Sequence, residues 1–366
     1  MLEFEGFVDV HVHFRDPGVP EAETTASGLA AAGAGGIAAV VVMPNTSPAI
    51  DSPEAVRSQL AAAAAAGSET LLAASAAMTK GRLGREPADL EALAEAGAAF
   101  FTDDGSYVAD DRVMEAVMRR AAALGMCVCQ HAMDPAVQAG GVVRDCPLAR
   151  RLGLAVIPPE AETAAIRRDL AICRVTGCRL HIQHISTAQG AELVRDAVKE
   201  GLPVTAEATP HHLLLCCEEI PGDDANWKMA PPLGNREDRA ELRRAVKDGL
   251  FMFATDHAPH PAATKSRGFA ASANGIIGLE TAIPITWEVM VRGEGMSPAA
   301  WARAWNELPL GILSPSVRTR FAGRPLTVVD DGAAFVADPE KFASRSRNCP
   351  YGGMEFRCRA SLKGRQ

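Results

Sequence analysis

VDVHVHFRDPG, residues 8–18, is an apolar run that ends in two histidines one residue apart and then breaks into arginine, aspartate, proline and glycine. Side chains on a strand alternate with period two, so His11 and His13 project to one side and Val10 and Val12 to the other. Two imidazoles on one side of a strand end can chelate a metal ion. An isolated pair would serve equally well as hydrogen-bonded histidines at a sheet edge, so the rest of the chain has to decide.

Seven further short apolar runs follow "GFVDVH" (6–11): "IAAVVVM" (37–43), "TLLAASAAM" (70–78), "AAFFTD" (98–103), "MCVCQH" (126–131), "RLHIQH" (179–184), "LPVTAE" (202–207) and "LFMFATD" (250–256). Between them lie segments rich in Ala, Leu, Arg and Glu, at 52–66, 110–124, 160–176, 187–200 and 236–248, which read as helices. Buried strands alternating with helices imply parallel βαβ units, and eight units predict a closed (β/α)8 TIM barrel over residues 1–312. Past about residue 310 the alternation stops. "LTVVDD", "AAFVAD" and "MEFRC" predict short strands in a small, reduced C-terminal β segment, 313–366.

In such a barrel the carboxyl ends of the strands share one face, where active sites form. His11, Asn45, Asp103, His131, His184 and Asp256 each close or follow one of the runs. Together with His13, this gathers four imidazoles and two carboxylates, a donor set suited to zinc and large enough for two ions. Two metal ions sharing a water imply hydrolysis, with Asp256 placed to take and return its proton. Arg15 suits bidentate capture of a carboxylate beside the metals, and Asn45 and His260 are placed either to line the same pocket or to brace its loops.

Composition agrees. The chain has 366 residues with 37 basic against 45 acidic, a net charge of -8, which disfavours nucleic acid and leaves small molecules and proteins as partners. Charged residues crowd the first twenty positions, so no signal peptide is read there, and the apolar stretch 28–44 is short and broken by Gly-Gly. A cytoplasmic protein with no membrane span is expected. Nine cysteines without CxxC pairs read as buried thiols.

Eight motifs then occur in one order: "DVHVHFRDPG", "MPNTSP", "FTDDG", "HIST", "ATPHHLLL", "KMAPPL", "TDHAPH" and "NGIIGLET". In that order the sequence resembles the dihydroorotases of the metal-dependent amidohydrolase superfamily, in the branch that has an aspartate where relatives have a carboxylated lysine. "DPEKFASRSRNCPYGG" (338–353) is similar to that family's closing segment. The resemblance implies zinc-dependent, reversible hydrolysis of dihydroorotate to N-carbamoyl-aspartate in pyrimidine biosynthesis. It implies that His11, His13 and Asp256 hold one zinc and His131 and His184 the other, with Asp103 between them and Asp104 the adjacent alternative. It also implies that Arg15, Asn45, His260, Asn274 and Gly275 bind substrate, whereas His211 and His212 are structural.

Ala230, Gly234 and Asn274 depart from the family pattern, at positions expected to line or support the pocket. The segment that in the family precedes the first barrel strand has no counterpart ahead of residue 6, so the C-terminal strands are expected to lack partners and to favour a homodimer or docking to aspartate carbamoyltransferase. Two rival readings are a hydantoinase- or allantoinase-like cyclic-amide hydrolase and a non-catalytic subunit of aspartate carbamoyltransferase. "FFTDDG" lacks the lysine of the first, and a scaffold has no reason to retain six buried ligands.

Overall fold

A computed structural model describes residues 1–365. Seven of the eight apolar runs are parallel barrel strands: β2 (Phe7–Val12), β3 (Ile37–Val42), β4 (Leu71–Ala74), β5 (Cys127–Gln130), β6 (Arg179–Ile182), β7 (Val204–Ala208) and β8 (Phe251–Phe253). They form two sheets, β2-β3-β4 and β5-β6-β7-β8. The eighth run, around Phe101, is too short to count as a strand but bridges Ala76 on one side and Val128 on the other, and Val12 bridges His257 at the opposite seam. The barrel is therefore closed. The helices Pro53–Ala66, Asp111–Ala123, Glu160–Thr176, Ala188–Lys199 and Arg236–Lys247 lie within a residue of the segments read from composition. Side-chain caps start four of them, for example Ser52 on the amide of Ala55 and Asn235 on that of Asp238.

The first strand is not a simple alternation. Its pairing with β3 slips between Asp9 and Val12. Val8 and Val10 pack with Ala39, Val41, Ala73 and Met252 in one apolar cluster, whereas Val12 and Phe14 belong to the other. Val10 and Val12 thus do not share a side, contrary to the expectation from strict period two. The irregularity changes parity, so that His11 and His13 end up above the cluster that holds Val8 and Val10, as bulges beside functional sites commonly do. Asp9 fills the break: its carboxylate accepts from the amides of His11 and Thr255 and from the Thr255 hydroxyl.

The far end of the barrel is closed by Ile312, Leu313, Val317 and Phe321, which join the cluster of Val8 and Val10. Residues 313–321 therefore pack with the barrel, and the expected boundary at 312/313 cuts through that closure. Beyond it, β9 (Leu326–Asp330) lies between β1 (Leu2–Phe4) and β12 (Arg359–Lys363), all antiparallel, while β10 (Phe335–Val336) pairs with β11 (Glu355–Phe356). The C-terminal strands do have a partner, β1, which the sequence pattern did not reveal. Thr327 fastens this sheet to the barrel, accepting from the amide of Phe7 and donating to the carbonyl of Gly36. Gly36 is at φ +79, and a Cβ there would come within 2.6 Å of Ala360. Between β10 and β11, the segment 344–348 crosses back to the face that carries the strand ends.

Candidate metal centre and substrate pocket

Four imidazoles and two carboxylates converge above β2, β5, β6 and β8. His11 Nε2 lies 3.3 Å from one Asp104 oxygen and His13 Nε2 3.3 Å from the other. The first Asp104 oxygen is also 3.6 Å from His131 Nδ1 and 3.5 Å from His184 Nε2. Asp256 stands 3.0 Å from His13 Nε2 and 3.5 Å from His11 Nε2. The donor atoms fall into two overlapping triads, His11–His13–Asp104 and Asp104–His131–His184, joined at Asp104.

The carboxylate at the junction is Asp104 and not Asp103, which corrects the assignment made from motif order. Asp103 accepts from the amides of Met78 and Thr79 and from the Thr79 hydroxyl, so its oxygens are used up in holding a loop. It offers the cluster nothing. Asp104 shows the opposite state, with Oδ1 buried and lacking any hydrogen-bond donor, as does His11 Nε2. Buried polar atoms without partners are costly, and two that face each other fit a position intended for a cation.

The outer hydrogen bonds fix which nitrogens face inward. His11 Nδ1 is 2.5 Å from a Glu207 oxygen and His13 Nδ1 2.8 Å from the amide oxygen of Asn45. Both partners can only accept, so each Nδ1 carries the proton and each Nε2 keeps a lone pair for a metal. Glu207 also accepts from the backbone amide of His184 and faces His181 Nε2 at 3.0 Å. Burial works against its charge, yet His11 and His181 hold its carboxyl down at about 2. Sequence reasoning missed Glu207; its signal was a carboxylate inside the otherwise apolar run 202–207. For Asp256 burial again opposes ionisation, and His11 and His13 outweigh it and hold the carboxyl well below the usual range.

Backbone conformation is unusual where the site needs it. Arg15 (φ 58), His184 (φ 33) and Asp256 (φ 48) lie in the left-handed region, which non-glycine residues seldom adopt.

A cavity of about 420 Å³ opens onto the cluster and is lined by His13, Asp104, His131, His184 and Asp256 together with Arg15, Asn45, His260, Asn274 and Gly275. All five residues singled out for substrate binding are thus gathered at one place. Desolvation pulls the Arg15 guanidinium to about 10, still charged at neutral pH. Burial, helped by Arg15, pushes His260 down to about 3, so its ring is neutral. His260 Nε2 donates to the carbonyl of Asn274 at 2.6 Å, and the guanidinium stands 3.5 Å from the same nitrogen. Of the departures from the family pattern, Ala230 and Asn274 line the cavity. Gly234 is packed instead against Ser186 and Asp238, where a Cβ would come within 2.6 Å of both. His211 and His212 lie outside both triads, and His212 is tied to Thr209 and to the carbonyl of Pro231.

A family model described as Dihydro-orotase-like matches residues 2–190. A dihydroorotase of Bacillus caldolyticus is 43% identical over 352 residues, spanning 95% of this chain and 82% of that protein. One from Deinococcus radiodurans is 41% identical over 353 residues, 96% of this chain and 84% of that protein. The chain belongs to the dihydroorotase family. Its fold is that of the solved amidohydrolases. An L-hydantoinase from Arthrobacter aurescens superposes with TM-score 0.82 at 23% identity, over 100% of this chain and 84% of that one. A dihydroorotase from Saccharomyces cerevisiae, solved with 5-fluoroorotic acid, gives 0.78 at 17% identity, over 100% and 99%. Among the described residues no helix is long and apolar enough to cross a membrane.

Proposed function

We propose that this protein is a dihydroorotase, hydrolysing the ring amide of dihydroorotate to N-carbamoyl-aspartate and running the reverse closure in pyrimidine biosynthesis. The observation that carries the proposal is a single cavity that joins a two-triad metal centre to a half-buried cation, Arg15, beside the neutral His260. A ring bearing one carboxylate and one scissile amide needs both.

Two zinc ions suit the donor set, one held by His11, His13 and Asp256 and one by His131 and His184, with Asp104 shared between them. Zinc in this setting supplies a water acidic enough to attack at neutral pH and polarises the amide carbonyl. Arg15 and Asn45 take the substrate carboxylate, Arg15 through paired N–H donors. His260, neutral, orients the ring against the 274–275 backbone. Asp256, held ionised, takes the proton of the attacking water on a carboxylate oxygen and delivers it to the departing ring nitrogen. In the reverse direction the same oxygen removes it.

The case for self-association, or for docking to aspartate carbamoyltransferase, rests on the outer edges of β1 and β12 in one small sheet and of β10 and β11 in the other, since β9 is covered on both sides. Static light scattering of the purified chain, alone and with that enzyme, tests it.

The function is tested by elemental analysis together with hydrolysis of dihydroorotate. Up to two zinc ions per chain and turnover that is lost on chelation and restored by zinc are expected. A protein that takes up no zinc and leaves dihydroorotate intact would refute the proposal.

A further inference from the structure

The C-terminal segment contains a side chain with no role in the chemistry above but with a place beside it. Asn348, in the segment between β10 and β11, is buried. Its amide nitrogen donates to two carbonyls, Ala258 and Gly275, both at 3.0 Å. Its amide oxygen accepts from the backbone N–H of His260 at 3.1 Å, and its own carbonyl accepts from the amide of Ile277 at 3.0 Å.

These four bonds join the two stretches that make the substrate-binding part of the cavity. One runs from Asp256 to His260, the other from Asn274 to Ile277. Neither is a helix or a continuous strand: one parallel bridge joins His257 to Ile276, with the Ala258 amide donating to the Ile276 carbonyl at 2.8 Å, and no ladder continues from it to His260 and Asn274. Their separation matters at short range. Gly275 is at φ +131, and a Cβ there would lie 2.7 Å from Ala258 and 3.0 Å from the His260 ring, so the two stretches are in close contact. The Gly275 carbonyl has a second donor, Lys265 Nζ at 2.9 Å, but among the described residues the Asn348 amide is the side chain that also ties it to the Ala258 carbonyl and the His260 amide.

We infer that Asn348 is a positioning residue for substrate: it sets the spacing between His260 and the 274–275 backbone, and so makes the C-terminal segment part of the pocket that grips the carboxylate-bearing end of the ring. This rests on the reading of that pocket as the substrate site. Asn348 touches no metal-facing atom, so its loss should act on binding rather than on the metal centre or the proton transfer.

The test uses the full chain loaded with zinc and compares wild type with Asn348→Ala and Asn348→Asp. The aspartate variant keeps the shape and the acceptor for His260 but removes the two N–H donors, and it serves if the alanine variant fails to fold. Expected are a KM for dihydroorotate and a Kd for orotate, by calorimetry, each raised about tenfold. The kcat should stay within about threefold and zinc content should be unchanged, because the metal ligands keep their own hydrogen bonds. An unchanged KM and orotate affinity would overturn the inference, as would a fall in kcat and zinc content with KM preserved. A wild-type protein that neither turns over dihydroorotate nor binds orotate would instead bring down the proposed function, and this inference with it.

Discussion

Asp256 and His257 are neighbours in the chain and belong to two buried clusters built from the same residue types. Around Asp256, the inward atoms of His11 and Asp104 lack hydrogen-bond partners. Around His257, Nε2 meets Glu23 at 3.3 Å and Nδ1 accepts from the amide of Gly278. Glu23 in turn accepts from Ser27 Oγ, Ser344 Oγ and the amide of Arg345. The second cluster is complete in itself and fastens the C-terminal segment to the barrel. The first is incomplete without a cation. Asp103 and Asp104 repeat the contrast one residue apart. Burial of histidine and carboxylate therefore does not mark a site; His11 and Asp104 are marked by unpaired atoms that converge on one another, which the lone unpaired Nε2 of His211 does not do.

The sharpest way to break this contrast is to exchange roles within the adjacent pair. Asp104→Asn should lose zinc at both triads and lower turnover by several orders of magnitude. Asp103→Asn should keep its zinc and instead lower the unfolding midpoint in denaturant, because Met78 and Thr79 lose an anionic acceptor. Comparable zinc loss in the two variants would show that the paired and unpaired states do not separate scaffold from site.

Next in size is Asp256→Asn, which should retain most of its zinc but lose about a thousandfold in kcat, as expected when a proton carrier is removed. Near-wild-type turnover would assign that proton to another group. Arg15→Ala follows, with kcat/KM for dihydroorotate down about a hundredfold, mainly through KM, since a charge-assisted pair is lost from a largely dry pocket.

The smallest effect belongs to the complete cluster. Glu23→Gln should leave zinc content and kcat alone and cost about 1–2 kcal/mol of stability near neutral pH. Burial disfavours the Glu23 charge, but His257 and the hydroxyl donors prevail and hold its carboxyl below the ordinary 4.5. A depressed folded-state value means that the stabilisation is fully present above about pH 4.5 and is lost as pH falls through the folded value. Denaturant melts should therefore show the gap between wild type and Glu23→Gln closing on the acid side. A gap independent of pH would show that the Glu23 charge contributes nothing.

Much of this was legible in the chain because periodicity reports burial. Eight apolar runs and the helices between them define the barrel, and the polar residues at their ends locate its active face. What was not legible depends on partners distant in sequence. Nothing in "TDDG" says that the amides of Met78 and Thr79 come to rest on the first aspartate rather than the second. The slip in β2 is invisible because each valine on either side fits an apolar face. Leu2–Phe4 is too short to read as a strand until β9 lies beside it, and Asn348 looks like one more loop residue until Ala258 and Gly275 reach it.

His184 and Asp256 hold their left-handed backbones without the freedom of glycine, at a cost of roughly 1–3 kcal/mol each. Glycine at either position would relieve that strain and abolish a ligand. Directed evolution of this chain for heat resistance alone would thus be rewarded for dismantling its own centre. A library screened for survival on heating, without a parallel screen for turnover, should enrich such changes at the two positions where activity can least tolerate them.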